Sequence, residues 1–541
     1  MRIILKTVFF FCCFQIYGQY IEKYNDYSIE WTDQYRFRGK IQGFFDLTSF
    51  KHSVLVNKTG FGGFSKRNSS LRIKNYNNLQ KTDEGEINLK SEDGKKVSLL
   101  GVLDIGKSNI AFSARRSIWK RQHKIYYHKF NHHQIDGVNY GEPLVSYISP
   151  YGFNFRGQLD YTTSENDKYG AVYFTIPTRA DDYVSIGYKL INNENKTLES
   201  DLYLLPYKHY EVEINGQYLS DDGDYFLVAS IFNKRTISNQ WTKNNRKYGK
   251  TEIITFKDDK LVQLPIEDVN FVIRSIALDT DDDGYLVGTG FYTDALGGNV
   301  RGTYFFKFDT EKEKVVLLKK HQLTNDIVSQ NIHHRKRGIF SQMFRNRSND
   351  NNFNKFRITF FEPTEDGGYI ALAEHIFKEF RNTDNTNTDN PSSRIDEYFY
   401  NNDLVVYKIK PNGELDWVNR IQKVQQSMND EGYYLSTAQF LTNSKLHIFF
   451  NDNRRNYDID GKFIDREYVY VSTVSRRNNV IGAVSLNIKN GSKTRKKLAG
   501  RKTNGVVLVP RLSRERKEEK ELLIYGNRGN RHKYGKLRFF I

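Results

Sequence analysis

The sequence predicts an all-β fold, a β-propeller of about eight four-stranded blades with long inter-strand loops; seven blades is the alternative. Aromatic residues make up 14% of the 541 residues, with 3 methionines and 9 prolines, and this composition favours strands. Short apolar runs recur behind tight turns. The spacing of these turns fits a repeat of about 60–65 residues.

Four glycine turns each precede a short apolar run, at Gly94, Gly223, Gly284 and Gly367. The steps between them are 129, 61 and 83 residues, and the first is close to twice 64. An Asp-Gly pair readily adopts the positive φ that a hairpin turn between twisted strands requires. We therefore expect the turns to occupy equivalent places in successive blades, with three tyrosines superposed, namely Tyr225, Tyr285 and Tyr369.

A second apolar run lies downstream of each turn, at Ile125–Tyr127, Ile253–Phe256, Tyr304–Phe308 and Leu404–Tyr407. These runs do not alternate strictly between apolar and polar residues, which indicates strands that are covered on both faces. Radially packed blades cover their inner strands in this way. Further units are predicted at 43–90, 151–206 and 434–490.

The first 18 residues have the layout of a secretory signal peptide, because Arg2 and Lys6 are their only charges and Ile3 to Phe14 is strongly apolar. We expect cleavage after Gly18; a membrane anchor is the alternative. Residues 19–541 then form a single propeller domain. Both cysteines of the chain lie in the leader, so the mature domain needs no disulfide.

The two ends of the domain are expected to meet. Residues 505–541 offer three strands, one fewer than a blade needs. A strand near Tyr27–Trp31 would complete that blade and close the ring, which removes two exposed sheet edges.

The chain carries a formal net charge of +18, and +16 once Arg2 and Lys6 are removed. Export argues against nucleic acid as the partner. It favours an acidic surface, such as an anionic glycan, lipopolysaccharide or an acidic envelope protein, and a basic surface that serves solubility is the alternative. Beyond the leader, no stretch is apolar for long enough to form a transmembrane helix.

The best-formed repeat combines Asp366–Leu372 with Asp403–Ile409 and a closing turn, Gly413 to Trp417. It resembles the repeats of exported β-propeller proteins common in Bacteroidetes. The resemblance implies the fold and an exported location, in the periplasm or at the outer membrane. It implies no chemistry, because propellers serve as enzymes, receptors and scaffolds. A further resemblance is to an envelope subunit that plugs or supports an outer-membrane secretion channel.

Two patterns bear on cofactors and catalysis. Asp279, Asp281 and Asp283 match the first half of a calcium loop, but the twelfth position is Gly290 where that loop has glutamate. A hairpin turn is the alternative, and no other cofactor is expected. The mature chain has no cysteine and no G-x-S-x-G motif, so nucleophilic catalysis has no support and an enzyme is the less favoured class.

A basic insert at 324–356 combines cations with large apolar residues. This pattern suits docking of an acidic partner or an anionic glycan, with charge assisting association and apolar groups slowing release. The expected partner-binding residues are Arg335, Lys336, Arg337, Phe340, Phe344, Arg345 and Arg347. Together these patterns predict a non-enzymatic protein-interaction scaffold of the cell envelope, and the resemblance extends this to a plug-like or accessory subunit of an outer-membrane secretion or transport complex. A glycan-binding or glycan-degrading propeller is the alternative.

Overall fold

The structure is a computed structural model. It describes residues 20–36, 40–48, 51–57, 70–77, 79–106, 108–117, 122–131, 136–148, 157–179, 181–234, 246–257, 260–266, 272–294, 300–324, 327, 356–384, 393–464, 471–472, 478–500 and 505–540. The regular structure of this part is β-strand, with two short 3-10 helices at Arg454–Asn456 and Pro510–Leu512.

The strands of the first half are β1 (Tyr20–Lys23), β2 (Tyr27–Trp31), β3 (Tyr35–Arg36), β4 (Lys40–Thr48), β5 (Lys51–Asn57), β6 (Ser70–Asn77), β7 (Gln80–Lys90), β8 (Ser98–Ile105), β9 (Ser108–Ser117), β10 (Gln122–Asn131), β11 (Gly137–Tyr140), β12 (Glu142–Ile148), β13 (Leu159–Thr163), β14 (Tyr169–Ile176), β15 (Tyr183–Asn192), β16 (Thr197–Lys208), β17 (Val212–Leu219), β18 (Tyr225–Lys234), β19 (Arg246–Lys257) and β20 (Lys260–Pro265).

The strands of the second half are β21 (Val272–Thr280), β22 (Leu286–Thr293), β23 (Gly302–Asp309), β24 (Lys314–Gln322), β25 (Phe356–Pro363), β26 (Tyr369–Asp384), β27 (Ser393–Ile409), β28 (Leu415–Met428), β29 (Ala438–Leu441), β30 (Lys445–Asn453), β31 (Val471–Ser472), β32 (Asn479–Asn487), β33 (Lys493–Gly500), β34 (Val507–Leu508), β35 (Arg514–Arg516), β36 (Glu521–Arg528) and β37 (Arg531–Phe539).

These strands form eight sheets, each built on a four-stranded antiparallel meander, and we number them blades 1 to 8 along the chain. Blade 1 is β4 to β7, blade 2 is β8, β9, β10 and β12, and blades 3, 4 and 5 follow as β13–β16, β17–β20 and β21–β24. Blade 6 is β25–β28, and blade 7 is β29, β30, β32 and β33. In blade 8 the strands β34 and β35 both pair with β36, followed by β37 and β2. The predicted all-β propeller of about eight four-stranded blades is confirmed.

The hydrophobic core is divided among the blade interfaces. Eight clusters of buried residues occur in the described part of the chain, and each lies between neighbouring blades, including the interface of blade 8 with blade 1. The first strands of successive blades are also in contact, for example β17 with β21, β21 with β25, and β35 with β4. The blades therefore pack face to face around a closed ring.

The inner strands show why the apolar runs do not alternate. In β23, Tyr304 and Phe306 pack toward blade 4, whereas Phe305 packs toward blade 6. In β26, Ile370 and Leu372 pack toward blade 7, whereas Tyr369, Ala371 and Ala373 pack toward blade 5. Successive side chains of a strand point to opposite faces, and here both faces meet another sheet, so both must be apolar.

The chain ends meet in blade 8. Strand β2 pairs with β37 in antiparallel register, from Tyr27 opposite Phe539 to Trp31 opposite Gly535. This is the pairing that the sequence predicts. Tyr27, Ile29 and Trp31 are buried at the interface with blade 7, so the N-terminal strand contributes core residues as well as backbone bonds.

The four glycine turns share one backbone shape but not one position, which corrects the sequence prediction. Gly223, Gly284 and Gly367 lie in turns from a first to a second strand, whereas Gly94 lies between β7 of blade 1 and β8 of blade 2. All four glycines have a positive φ, between 73° and 98°. A turn signal specifies a backbone conformation and does not specify which strands it joins.

The predicted superposition of the three tyrosines is correct for two. Tyr225 and Tyr369 begin the second strands of their blades and are buried. The matching turn in blade 5 is closed by the Asp281 N–H donating to the Tyr285 carbonyl, as the Ser220 N–H donates to Asp224 in blade 4. Tyr285 therefore corresponds to Asp224, and the buried Leu286 takes the place of the tyrosine.

Connections on the two faces of the ring differ. On the face where first strands turn into second strands, most connections are tight turns, and we call it the tight-turn face. The strands that flank the segments 58–69, 235–245, 323–355 and 454–478 end at the opposite face, and we call it the long-loop face. The longest connections between described strands thus begin and end on one side of the ring.

Candidate functional site

The residues predicted to bind a partner, Arg335, Lys336, Arg337, Phe340, Phe344, Arg345 and Arg347, lie outside the described residues, so the docking role of the basic insert stays a prediction. The structure does place the ends of that insert. It leaves β24 after Gln322 and enters β25 at Phe356, and both positions are on the long-loop face between blades 5 and 6.

A two-stranded ribbon projects from the same face of blade 6. Strand β25 pairs with β26 only as far as His375, and β28 pairs with β27 only as far as Tyr398. Residues 376–379 of β26 no longer pair with β25, but their partners on β27 still pair with β28. From Phe380 opposite Glu397 to Asp384 opposite Ser393, β26 and β27 pair with each other alone. We call residues 376–384 and 393–400 the blade 6 arm.

One face of the arm presents apolar groups to solvent. Phe380 and Ile395 are 61% and 62% exposed, and the register places their side chains on the same face. Lys378 lies between them and the blade: its Nζ is 2.9 Å from a Glu397 carboxylate oxygen and 4.6 Å from the centre of the Phe380 ring. A cation held over aromatic rings beside exposed apolar groups is typical of an interface surface.

The opposite face of the arm is held by contacts within the ribbon. The rings of Phe377 and Tyr400 stack with centroids 4.5 Å apart. The Arg381 guanidinium lies 4.3 Å from the centre of the Tyr398 ring and forms an ion pair of 2.8 Å with Glu379. These contacts brace the ribbon, so the exposed face is presented by an ordered scaffold.

The arm corrects one interpretation of the sequence. The Asn, Asp, Arg and Ser content of the insert 378–401 predicts a solvated loop, yet its described residues are strand. The signal that could have revealed this is the aromatic content at the two ends of the insert, with Phe377 and Phe380 near its start and Tyr398 to Tyr400 near its end. The polar composition of the residues between these two ends indicates a loop more strongly than the aromatic residues indicate strands.

The side chains of the candidate calcium ligands Asp279 and Asp281 form hydrogen bonds and an ion pair in and next to a hairpin turn. Asp279 is the acceptor for the Tyr218 hydroxyl at 3.1 Å and for a backbone N–H. Asp281 accepts the Asp283 and Tyr285 backbone N–H groups and pairs with Lys307 at 2.8 Å. Within the residues that the structure describes, no three His, Cys, Asp or Glu side chains are grouped to hold a metal ion. Calcium binding stays an untested prediction.

A cluster of charged side chains lies where the inner strands reach the tight-turn face, and we call it the acidic mouth. Its members come from blades 2, 3, 5, 6 and 8: Asp104, Glu165, Asp167, Asp279, Glu362, Arg514, Glu515 and Lys517. The acidic mouth thus contains six carboxyl groups and only two cationic side chains.

The two cations of the acidic mouth connect blade 8 to distant blades. Arg514 lies 2.5 Å from Asp167 and 3.9 Å from Asp104. Lys517 contacts Glu165 and lies 3.2 Å from Glu362. Since these partners belong to blades 2, 3 and 6, the ion pairs cross the centre of the ring.

Burial and mutual repulsion alter the acidity of this cluster. Burial and then the charge of Glu515 raise the pKa of the Glu362 carboxyl to about 8. Burial raises the pKa of Glu515 to about 7 and that of Asp279 to about 6. The pKa values of these three carboxyls therefore lie above those of ordinary surface carboxyls.

The blade sheets, their sequential pairing and their shared interfaces define the class of the protein as a multi-bladed β-propeller. No protein-family model matches the sequence, and no curated protein matches it. In the described part of the chain, no helix has the length and apolar character needed to cross a membrane.

Several solved structures are similar to this chain at very low sequence identity. The WD40 domain of SCAP from fission yeast is 8% identical with a TM-score of 0.40, covering 96% of this chain and 98% of that one. The polysaccharide lyase Uly1 is 10% identical with a TM-score of 0.35, covering 80% and 88%. Cobalt-substituted Synechocystis ACO is 6% identical with a TM-score of 0.36, covering 86% and 94%. None of these likenesses carries an inference about function.

Proposed function

We propose that this protein is a non-enzymatic binding propeller of the cell envelope, which docks an envelope protein through its long-loop face. The observation that carries the proposal is the blade 6 arm, where Phe380 and Ile395 are exposed on a braced ribbon. A surface of this kind gains binding energy from aromatic and aliphatic anchors when a partner covers it.

Two further observations support the location of the surface. The basic insert joins the ring between blades 5 and 6, on the same face as the arm. The predicted signal peptide and the cysteine-free mature chain support export. We extend the proposal to an accessory or plug-like role in an outer-membrane secretion or transport complex, because a rigid ring with one elaborated face suits a structural subunit.

The test is site-specific photo-cross-linking in intact cells. A photoreactive phenylalanine analogue is placed at Phe380 or at Ile395, and the matched control places it at Val138, which is exposed on blade 1. We expect one discrete adduct, containing the same outer-membrane protein, from both arm positions and none from Val138. Arm positions that give no adduct, or the same adducts as Val138, would refute docking by the arm.

The alternative, a glycan-binding or glycan-degrading propeller, is favoured by the acidic mouth, because glycoside hydrolysis uses two positioned carboxyl groups. Glu362 and Glu515 would be the pair to consider. Release of new reducing ends from an anionic polysaccharide by the purified protein would support this alternative and overturn the non-enzymatic proposal.

A further inference from the structure

The outer rim of the ring differs from blade to blade. Several outer edges are covered: β11 pairs with β7 in blade 1, β31 with β28 in blade 6, and β1 with β2 in blade 8. In blade 7, Lys462 bridges to Lys496 of β33. Among the described residues, nothing pairs with the outer edges of β12, β16, β20 and β24.

Natural proteins usually protect such edges with charges, proline or short length. Strand β24 carries Lys314, Lys319 and Lys320, β20 has six residues and ends at Pro265, and β12 has seven residues. Strand β16 carries Glu199, Asp201 and Pro206, but it is the longest of the four at 12 residues, and Leu202 and Leu204 on it are 51% and 66% exposed.

The backbone of β16 has groups that point outward, away from β15. The Leu202 N–H donates to the carboxylate of its neighbour Asp201 at 2.7 Å, so it is directed away from the ladder with β15. Residues of an antiparallel pair alternate between bonded and non-bonded positions. The register is unbroken from Glu199 to Leu204, so the N–H and C=O groups of Ser200 and Leu204 also point outward.

The two sides of this edge differ in chemistry. Leu202 and Leu204 are two residues apart and project to one side, whereas Glu199 and Asp201 project to the other. Both acids are exposed, on a protein of net charge +18. A strand added here would meet apolar groups on one side and negative charge on the other.

We propose that β16 is a strand-addition site for an extended, basic segment of a partner protein, in which aliphatic residues alternate with Lys or Arg. Main-chain hydrogen bonds at Ser200, Leu202 and Leu204 would hold the segment, and the alternating side chains would provide specificity. A second copy of this chain fits less well, because its own β16 would place carboxylates on the acidic side. This site is on the rim of blade 3 and does not depend on the blade 6 arm.

The test uses two labelled peptides, acetyl-(Val-Lys)4-amide and acetyl-(Val-Glu)4-amide, with the full mature chain. Fluorescence polarisation should show binding of the lysine peptide, weakening as salt is raised, and at least tenfold weaker binding of the glutamate peptide. Hydrogen exchange should slow over residues 199–205 when the lysine peptide binds. Equal binding of both peptides, or protection elsewhere, would overturn the proposal.

Two variants of β16 test whether the lysine peptide binds at this edge. Leu202→Pro removes an outward N–H that takes no part in the ladder with β15 and that bonds in the fold to the neighbouring Asp201 side chain. It should weaken binding of the lysine peptide about tenfold or more. The double variant Leu202→Ala with Leu204→Ala keeps the backbone bonds and should weaken binding of the lysine peptide about fivefold. Val316→Ala on β24 is the matched control, which should leave this binding unchanged. Unchanged binding by both β16 variants refutes the site. Dimerisation of the free protein that Leu202→Pro abolishes would make a second copy the occupant and refute the basic partner.

Discussion

The acidic mouth leads to a prediction about how the stability of the ring depends on pH. Glu362 is 16% exposed, lies beside Lys517, and has its pKa raised from 4.5 to about 8 by burial and by Glu515. A carboxyl whose pKa is higher in the folded state stabilises the fold below its unfolded pKa. That stabilisation is lost as the pH rises through the folded pKa.

The expected size follows from the two pKa values. At 1.36 kcal/mol per pKa unit, raising the pH from 5 to 8 should cost the fold roughly 3 kcal/mol at this one carboxyl. Glu362→Gln keeps the shape of the side chain and removes the titrating proton. The variant should match the wild type at pH 5 and exceed it in unfolding free energy at pH 8.

The assay is urea unfolding at half-unit steps from pH 5 to pH 9, followed by tryptophan fluorescence. The control is Glu365→Gln, an exposed glutamate in the neighbouring turn, which should follow the wild type at every pH. If wild type and Glu362→Gln lose stability in parallel between pH 5 and pH 8, the carboxyl is already ionised in the fold and the reasoning about the mouth is wrong.

Two further predictions concern blade packing. Lys423 and Glu374 form a fully buried ion pair, with Glu374 also accepting from Asn401 and Ser436. Lys423→Met should lower the unfolding free energy by about 3–5 kcal/mol, and adding Glu374→Leu should restore much of it, as urea midpoints would show. Ile29→Ala in the closing strand should cost about 2–5 kcal/mol, whereas Ile459→Ala, at a position 95% exposed, should leave the melting temperature unchanged.

The fold could be predicted from the sequence because its determinants are local and repeated. Apolar runs without alternation, such as Tyr304 to Phe308, directly indicate strands that are covered on both faces, and the structure places alternate residues in two different blade interfaces. The place of Gly94 could not be derived, since the same turn conformation serves within a blade and between blades. Strand order around the ring decides that point, and no local pattern encodes it.

The candidate sites were harder to predict for a different reason. Glu165, Glu362 and Lys517 are separated by hundreds of residues along the chain and converge only because the ring brings the ends of inner strands together. The sequence does not predict the arm as a strand extension, because the polar composition of its tip indicates a loop. The docking role of the insert 324–356 stays a prediction, because the structure places only the ends of the insert, between blades 5 and 6 on the face that carries the arm.

The packing of the ring also limits where function can reside. Both faces of each inner strand pack against neighbouring blades. Substitutions there, as at Phe305 or Leu372, therefore affect the stability of the fold and not a binding surface. Residues free to recognise a partner must lie on connections, on strand extensions or on outer edges. The blade 6 arm and the β16 edge are an extension and an edge of this kind, and each presents two aliphatic or aromatic side chains that the ring itself does not need. For that reason their removal should alter binding and leave the fold intact, which separates them experimentally from the core.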